Sequence, residues 1–173
     1  IGIERNESPA QAFMSLIKMA EDFSKANPNY TGSVEAIAGK AMSEEDVKVF
    51  MAWPEAIICS DGNAGGHPRG YGAFTRVLGK YVREDKIMPL ETAIYKMTGQ
   101  SADFFGFKNR GRIAVGNFAD LVLLDPATVI DQANIKNSKA LSTGIDMVWV
   151  NGTLVYQAQK STGKQPGVLI KRK

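Results

Sequence analysis

The chain has one cysteine, Cys59, and one histidine, His67, among its 173 residues. A lone cysteine cannot close an internal disulfide, so the sequence reads as a protein of a reducing, cytoplasmic compartment with Cys59 as a free, buried thiol. One imidazole and one thiol are also too few to build a His/Cys metal site from this chain alone. Long apolar runs are missing: nothing approaches the ~20 consecutive apolar residues of a membrane span, so no membrane partner is expected. The opening IGIERNESP lacks the basic-then-apolar order of a signal peptide. An initiator Met is missing too, which predicts that the chain is cut from something longer.

Charge of one sign is scarce until the end. The totals are 21 Lys+Arg against 18 Asp+Glu, and beyond residue 145 the bases are Lys160, Lys164, Lys171, Arg172 and Lys173 against the single acid Asp146. The body is therefore nearly neutral. The basic tail has no interleaved aromatics and matches no nucleic-acid motif, so it reads as a solvated terminus and no nucleic-acid partner is expected. With 44% hydrophobic residues the composition is that of a soluble globular protein, and a chain of this length buries roughly 70% of its unfolded surface without staples.

Periodicity supplies the elements. Ser8-Pro9 is a cap plus first-turn proline, and Ala10, Phe13, Met14, Ile17 and Ala20 recur at helical spacing, predicting an amphipathic helix over 9–24 with a core-facing stripe. ANPNYTGS reads as loop. Ser43 caps a second helix that ends before Pro54, with Glu44, Glu45 and Asp46 suiting its positive N-terminus. AIICS, residues 56–60, is short, apolar and without alternation, as for a strand covered on both faces of a parallel sheet. Residues 62–72, with five glycines and a proline, predict irregular chain, after which Phe74, Val77, Leu78 and Tyr81 resume a helical stripe to about Glu84. Pro89 opens a helix bearing Ala93, Ile94 and Met97, and a short helical turn over 101–105 closes at Gly106. The period then changes: residues 112–115 and 119–124 read as strands, and MVWV-NG-TLVY reads as a hairpin turning at Asn151-Gly152. The order is that of an α/β portion followed by a β-rich one, and in α/β units chemistry collects beyond the carboxyl ends of strands.

At the end of the expected strand 56–60, Asp61, His67 and Arg69 fall within nine residues. A carboxylate, an imidazole and a guanidinium can serve as base, proton shuttle and anion clamp. The spacing equally allows Asp61 to start an Asp-Gly turn and Arg69 to pair with a surface acid.

The stretch IICSDGNAGGHPRGYGAFTRVLGKYVRE, continued by ETAIYKMTGQSADFFGFKNRGRIAVGNFADLVLLDPATVID and MVWVNGTLVY, resembles the C-terminal part of N-acyl-D-amino-acid deacylases, within the metal-dependent amidohydrolase superfamily, over roughly residues 43–168. The SDG…GGHPRGYG…RVLGKYVRE portion is the more specific to that branch; the GRIAVGNFADLVLLD…VWVNGTLVY portion is shared across the superfamily. The resemblance implies an α/β fold, with residues 1–110 as the last helices, final strand and active-site loop of a (β/α)8 barrel and residues 111–173 as the β-rich part of a small β-sandwich. It implies hydrolysis of linear N-acyl-D-amino acids by a zinc-activated water. In this pattern Asp61 is the proton-transferring acid and a weak candidate metal ligand, while Arg69 binds the substrate carboxylate and His67 belongs to the same binding loop. The family's His-x-His pair and its other main zinc ligands have no counterpart in this sequence, so the chain alone is expected to be inactive, with a homo-oligomer as the other expected partner. Two alternatives stay open: another amidohydrolase, dihydroorotase-like or cyclic-imide-cleaving, and a non-catalytic folding or oligomerisation module.

Overall fold

A computed structural model describes residues 2–31, 42–62 and 67–171. Parts of the expected ANPNYTGS loop, residues 63–66 of the glycine-rich stretch, and Arg172 and Lys173 of the basic tail lie outside the described residues. The chain forms two compact units, Ile1–Met42 and Ser43–Lys173.

In the first unit, α1 (Gly2–Arg5) precedes α2 (Pro9–Ala26). Ser8 makes a capping box: its Oγ accepts from the Gln11 N–H at 3.3 Å and Gln11 Oε1 accepts from the Ser8 N–H at 3.0 Å. Asn27 ends the helix, donating from both its main-chain N–H and its Nδ2 to the Phe23 carbonyl at 2.9 Å. The helix stands as expected, but its stripe does not form a core. Phe13 and Met14 are exposed and Ala12 is the buried residue of α2; two helices supply too little surface to cover an amphipathic face.

The second unit opens with α3 (Glu44–Ala52), where Ser43 and Asp46 form another capping box, and the helix closes at Trp53, ahead of Pro54. The expected strand at 56–60 does not form. A parallel strand exists only through its ladder, and no described segment pairs with these residues. Ile58 packs against the core instead, while Cys59 is exposed, against the expectation of a buried thiol.

The next helix, α4 (Arg69–Arg76), begins earlier than the apolar stripe suggests and runs without a break into a π-helical segment, Val77–Glu84. Gly79 shows why close packing suits small residues here: a Cβ on it would lie 2.3 Å from Ile130 Cδ1 and 2.6 Å from the Val129 carbonyl oxygen. Two more helices follow, α5 (Leu90–Met97) and α6 (Gly99–Phe105), the latter closed by Gly106 at φ 71°. Val77, Leu78, Tyr81, Met88, Ala93 and Val129 form the core.

Four strands, β1 (Leu121–Leu124), β2 (Ile145–Val150), β3 (Thr153–Gln157) and β4 (Lys160–Ser161), make one antiparallel sheet in chain order. The β2–β3 hairpin turns where expected, with Asn151 at φ 47° and Gly152 at φ 77°, and Val150 opposite Thr153. A further turn at Ala158 and Gln159, both at positive φ, adds β4. Residues 112–115 are not a strand. Arg112 grips Asp103 of α6 with both Nη groups, at 2.8 and 2.5 Å, and its carbonyl accepts from Asn117 Nδ2 at 2.9 Å, bonds that fold the segment back locally and leave Ile113 and Val115 in solvent. The unit thus mixes helices with an antiparallel sheet.

Candidate functional site

Asp61, His67 and Arg69 converge. The Arg69 side chain closes the loop on itself: Nε donates to the Asp61 carbonyl at 2.8 Å and Nη2 pairs with Asp61 Oδ2 at 3.1 Å. Asp61 stands at φ 43°, a left-handed conformation uncommon outside glycine, and Gly62 follows it. A Cβ on Gly62 would lie 2.9 Å from Gly70 Cα, so the two ends of the loop touch backbone to backbone and bring the acid beside the base. His67 accepts the Arg69 N–H at its Nδ1, 3.2 Å away. An imidazole nitrogen that accepts carries no proton, which leaves Nε2 as the ring's donor.

Residues distant in sequence hold α4 in place. Ser142, buried, donates from Oγ to the Tyr71 carbonyl at 3.1 Å and shares a 2.6 Å hydrogen bond with Thr75 Oγ1. Asp131 accepts from Arg76 Nη1 at 3.2 Å and sits where a Cβ on Gly72 would have to go, 2.7 Å from its own Cβ. None of these anchors is visible in the sequence, because each joins α4 to the irregular segment between β1 and β2.

A small cavity of about 280 Å³ opens beside Ser60, Arg69, Tyr71 and Thr75. A larger one, about 580 Å³, is walled by Phe74, Leu78, Ile94, Met97 and Val148, and its charged groups are already committed, Arg112 to Asp103 and Asp120 to Arg110. Of the candidate residues, Arg69 lines the smaller opening. Asp61, paired with it, and Arg69 are both exposed. As for a metal, no three His, Cys, Asp or Glu side chains converge among the described residues.

A family model for the amidohydrolase family matches residues 36–156. Over 134 residues the chain is 45% identical to a D-aminoacylase of Alcaligenes xylosoxydans xylosoxydans, a match covering 76% of this chain and 28% of that protein. The fold superimposes on a crystal structure of D-aminoacylase with a TM-score of 0.69 and 44% identity, over 71% of this chain and 27% of that one. It likewise matches an N-acyl-D-glutamate deacylase from Bordetella bronchiseptica, solved with zinc and a phosphonate mimic of the tetrahedral intermediate, with a TM-score of 0.64 and 45% identity over 66% and 25% of the two chains. The chain spans little more than a quarter of the length of these relatives.

Proposed function

The chain belongs to the amidohydrolase family, and from that premise we propose that it is the part of an N-acyl-D-amino-acid deacylase that supplies a proton-transferring carboxylate and a carboxylate-binding arginine. The observation that carries this reading is the 3.1 Å pair between Asp61 Oδ2 and Arg69 Nη2 on a loop closed by its own glycines. In the whole enzyme, residues 1–110 take the place of the last helices, final strand and active-site loop of a (β/α)8 barrel, and residues 111–173 that of the β-rich part of a small β-sandwich. We place the enzyme in the cytoplasm, where it acts on small N-acyl-D-amino acids, alone or as a homo-oligomer.

Zinc is the cofactor that accompanies this reading, and it needs three or four convergent ligands. The described residues do not offer them: Asp61 supplies one carboxylate, already paired with Arg69, and the Nδ1 of His67 is occupied by a main-chain N–H. The metal is assigned to other residues of the whole enzyme.

What this chain contributes is acid–base chemistry and substrate binding. Asp61, exposed, takes a proton from the attacking water at a carboxylate oxygen and returns it to the nitrogen of the leaving amine, so the amino acid departs neutral at that nitrogen. Arg69 receives the substrate's α-carboxylate. Its Nε and Nη2 are held by Asp61, and the N–H pair on Nη1 has no partner among the described residues, which leaves half the fork to a second anion. His67 offers its Nε2–H from the same loop.

Replacing Asp61 by Asn in the whole deacylase keeps the side chain's size and removes the proton acceptor. Turnover is expected to drop by about a hundredfold to ten-thousandfold, measured as release of free D-amino acid, with an unchanged circular dichroism spectrum. Activity within a factor of a few of wild type would reduce Asp61 to a turn residue.

A further inference from the structure

Lys96 is almost fully buried, at 2% exposure, and makes no ion pair among the described residues. A buried ammonium is costly unless its three N–H groups are all satisfied. Here main-chain carbonyls satisfy them. Nζ donates to the carbonyls of Trp53, of Ala56 at 3.0 Å and of Pro54 at 3.4 Å, and Gln100 Nε2 adds a second donor to the Pro54 oxygen at 2.8 Å. Burial pushes the Lys96 pKa down, and the Glu55 carboxylate opposes that shift. These carbonyls belong to the turn that leaves α3, and the chain runs from them straight through residues 56–60 to Asp61.

That segment has no sheet to hold it. No described segment pairs with it as a strand; at its far end Arg69 grips Asp61, and at its near end the Lys96 cradle, the Gln100 bond to the Pro54 carbonyl, the Ala56 N–H bond to the Trp53 carbonyl and the packing of Ile58 fix its course. We propose that Lys96 is a positioning residue for Asp61: its ammonium, seated among the carbonyls of Trp53, Pro54 and Ala56, fixes the root of the segment that carries the acid. The proposal rests on the deacylase reading for the task of Asp61, but the placement itself is measurable without turnover. An apolar side chain of the same length fills the space and removes the donor the three carbonyls share: Pro54 keeps Gln100 Nε2 and Trp53 keeps the Ala56 N–H, but the Ala56 carbonyl loses the N–H it accepts here, which a small ammonium ion can restore and a fully methylated one, with no N–H, cannot.

Cys59, the chain's one thiol, is exposed within the segment and two residues from Asp61, so a nitroxide can be attached there and nowhere else. In the 173-residue chain, Lys96→Met is expected to shift the label's electron paramagnetic resonance spectrum toward the mobile component, while amide exchange across the β2–β3 pair stays protected. An unchanged nitroxide spectrum overturns the proposal. Should Lys96→Met lose the β2–β3 protection, Lys96→Ala is compared in ammonium and tetramethylammonium chloride at equal ionic strength: recovery of the immobile spectrum in ammonium alone supports the cradle, and equal spectra in both salts overturn it. In the whole deacylase, Lys96→Ala is expected to lower kcat by about tenfold to a hundredfold, as a misplaced catalytic group does, with KM within a factor of two and kcat rising again in ammonium. A loss confined to KM contradicts the proposal. Failure of the deacylase reading looks different: the whole wild-type protein then hydrolyses no N-acyl-D-amino acid, whatever the label reports.

Discussion

At Arg69 one guanidinium serves the folded loop and, in the proposed reaction, the substrate. Arg69→Ala in the whole deacylase is expected to raise KM for N-acyl-D-amino acids far more than for the matching amides, which carry no α-carboxylate. A charge-assisted hydrogen bond from Nη1 lost while its partner stays desolvated costs about 1.5–3 kcal/mol, roughly tenfold to more than a hundredfold in KM. Arg69→Lys should recover only part, since an ammonium keeps the charge without the fork. Because Arg69 also holds the Asp61 carbonyl, some loss common to both substrate types is expected; the difference between them is the readout, and equal losses would confine Arg69 to packing the loop. At this scale the pairing within the candidate loop was legible where it is local. Asp61, His67 and Arg69 stand within nine residues, and their side-chain types announce their chemistry. Lys96 announces nothing, because its partners are main-chain carbonyls some forty residues away. The available signal was spacing: three residues after Ala93 and one before Met97, it lies on the apolar face of α5, where a solvated lysine does not belong.

Among the elements, those whose determinants are local were readable and those that need a distant partner were not. Ser8 and Ser43 cap α2 and α3 within their own first turns, and Asn151-Gly152 fixes its hairpin within four residues. Residues 56–60 have strand composition, but a ladder is made by the neighbour. The start of α4 at Arg69 was hidden because Gly70 and Gly72 read as loop, whereas Gly72 is where Asp131 approaches. Gly79 tests that packing directly. Gly79→Ala puts a Cβ against the Val129 carbonyl oxygen, a main-chain atom that cannot swing aside, and overpacking of this kind costs about 1–3 kcal/mol. The urea midpoint should fall with the slope unchanged; a midpoint equal to wild type would mean that the helix and the 129–131 segment slide apart freely. The link from α6 to the following loop carries a pH signature. Hydrogen bonds from Arg112, followed by its charge, hold the Asp103 carboxyl below the usual carboxylate range. The folded pKa lies below the unfolded one, so as pH falls the unfolded chain takes up its proton first. The stabilisation is complete above the unfolded value, near pH 4, and fades as pH falls toward the folded one. Asp103→Asn should flatten the acid limb of a pH–stability curve measured by chemical denaturation. A limb as steep as wild type would show that the pair, exposed on both sides, contributes nothing.

For the whole molecule, composition predicts a globular chain, and Ser43–Lys173 does form a compact unit around a hydrophobic core. What composition could not supply is the partner of each half-finished surface. Among the described residues the sheet has two open edges, β1 and β4, and Val122 and Leu123 of β1 are exposed. A row of unpaired main-chain groups flanked by apolar side chains is a template for another strand, so the 173-residue chain is expected to self-associate with rising concentration in sedimentation velocity, and a charge placed on the edge, Val122→Lys, should suppress it. Concentration-independent monomers would show that the edge is already blunted. Metal binding depends on the same incompleteness. A zinc site requires ligands that are deprotonated and already converging, and its affinity collapses when fewer than three are present. Cys59, Asp61 and His67 are the nearest set in sequence, yet Asp61 is paired with Arg69 and no three such groups converge among the described residues. After dialysis against buffer free of chelator, elemental analysis of the 173-residue chain should find well under one zinc per chain, and Asp61→Asn should leave that figure where it is. Stoichiometric zinc that disappears in Asp61→Asn would relocate the metal onto this loop and make Asp61 a ligand first and a proton acceptor second.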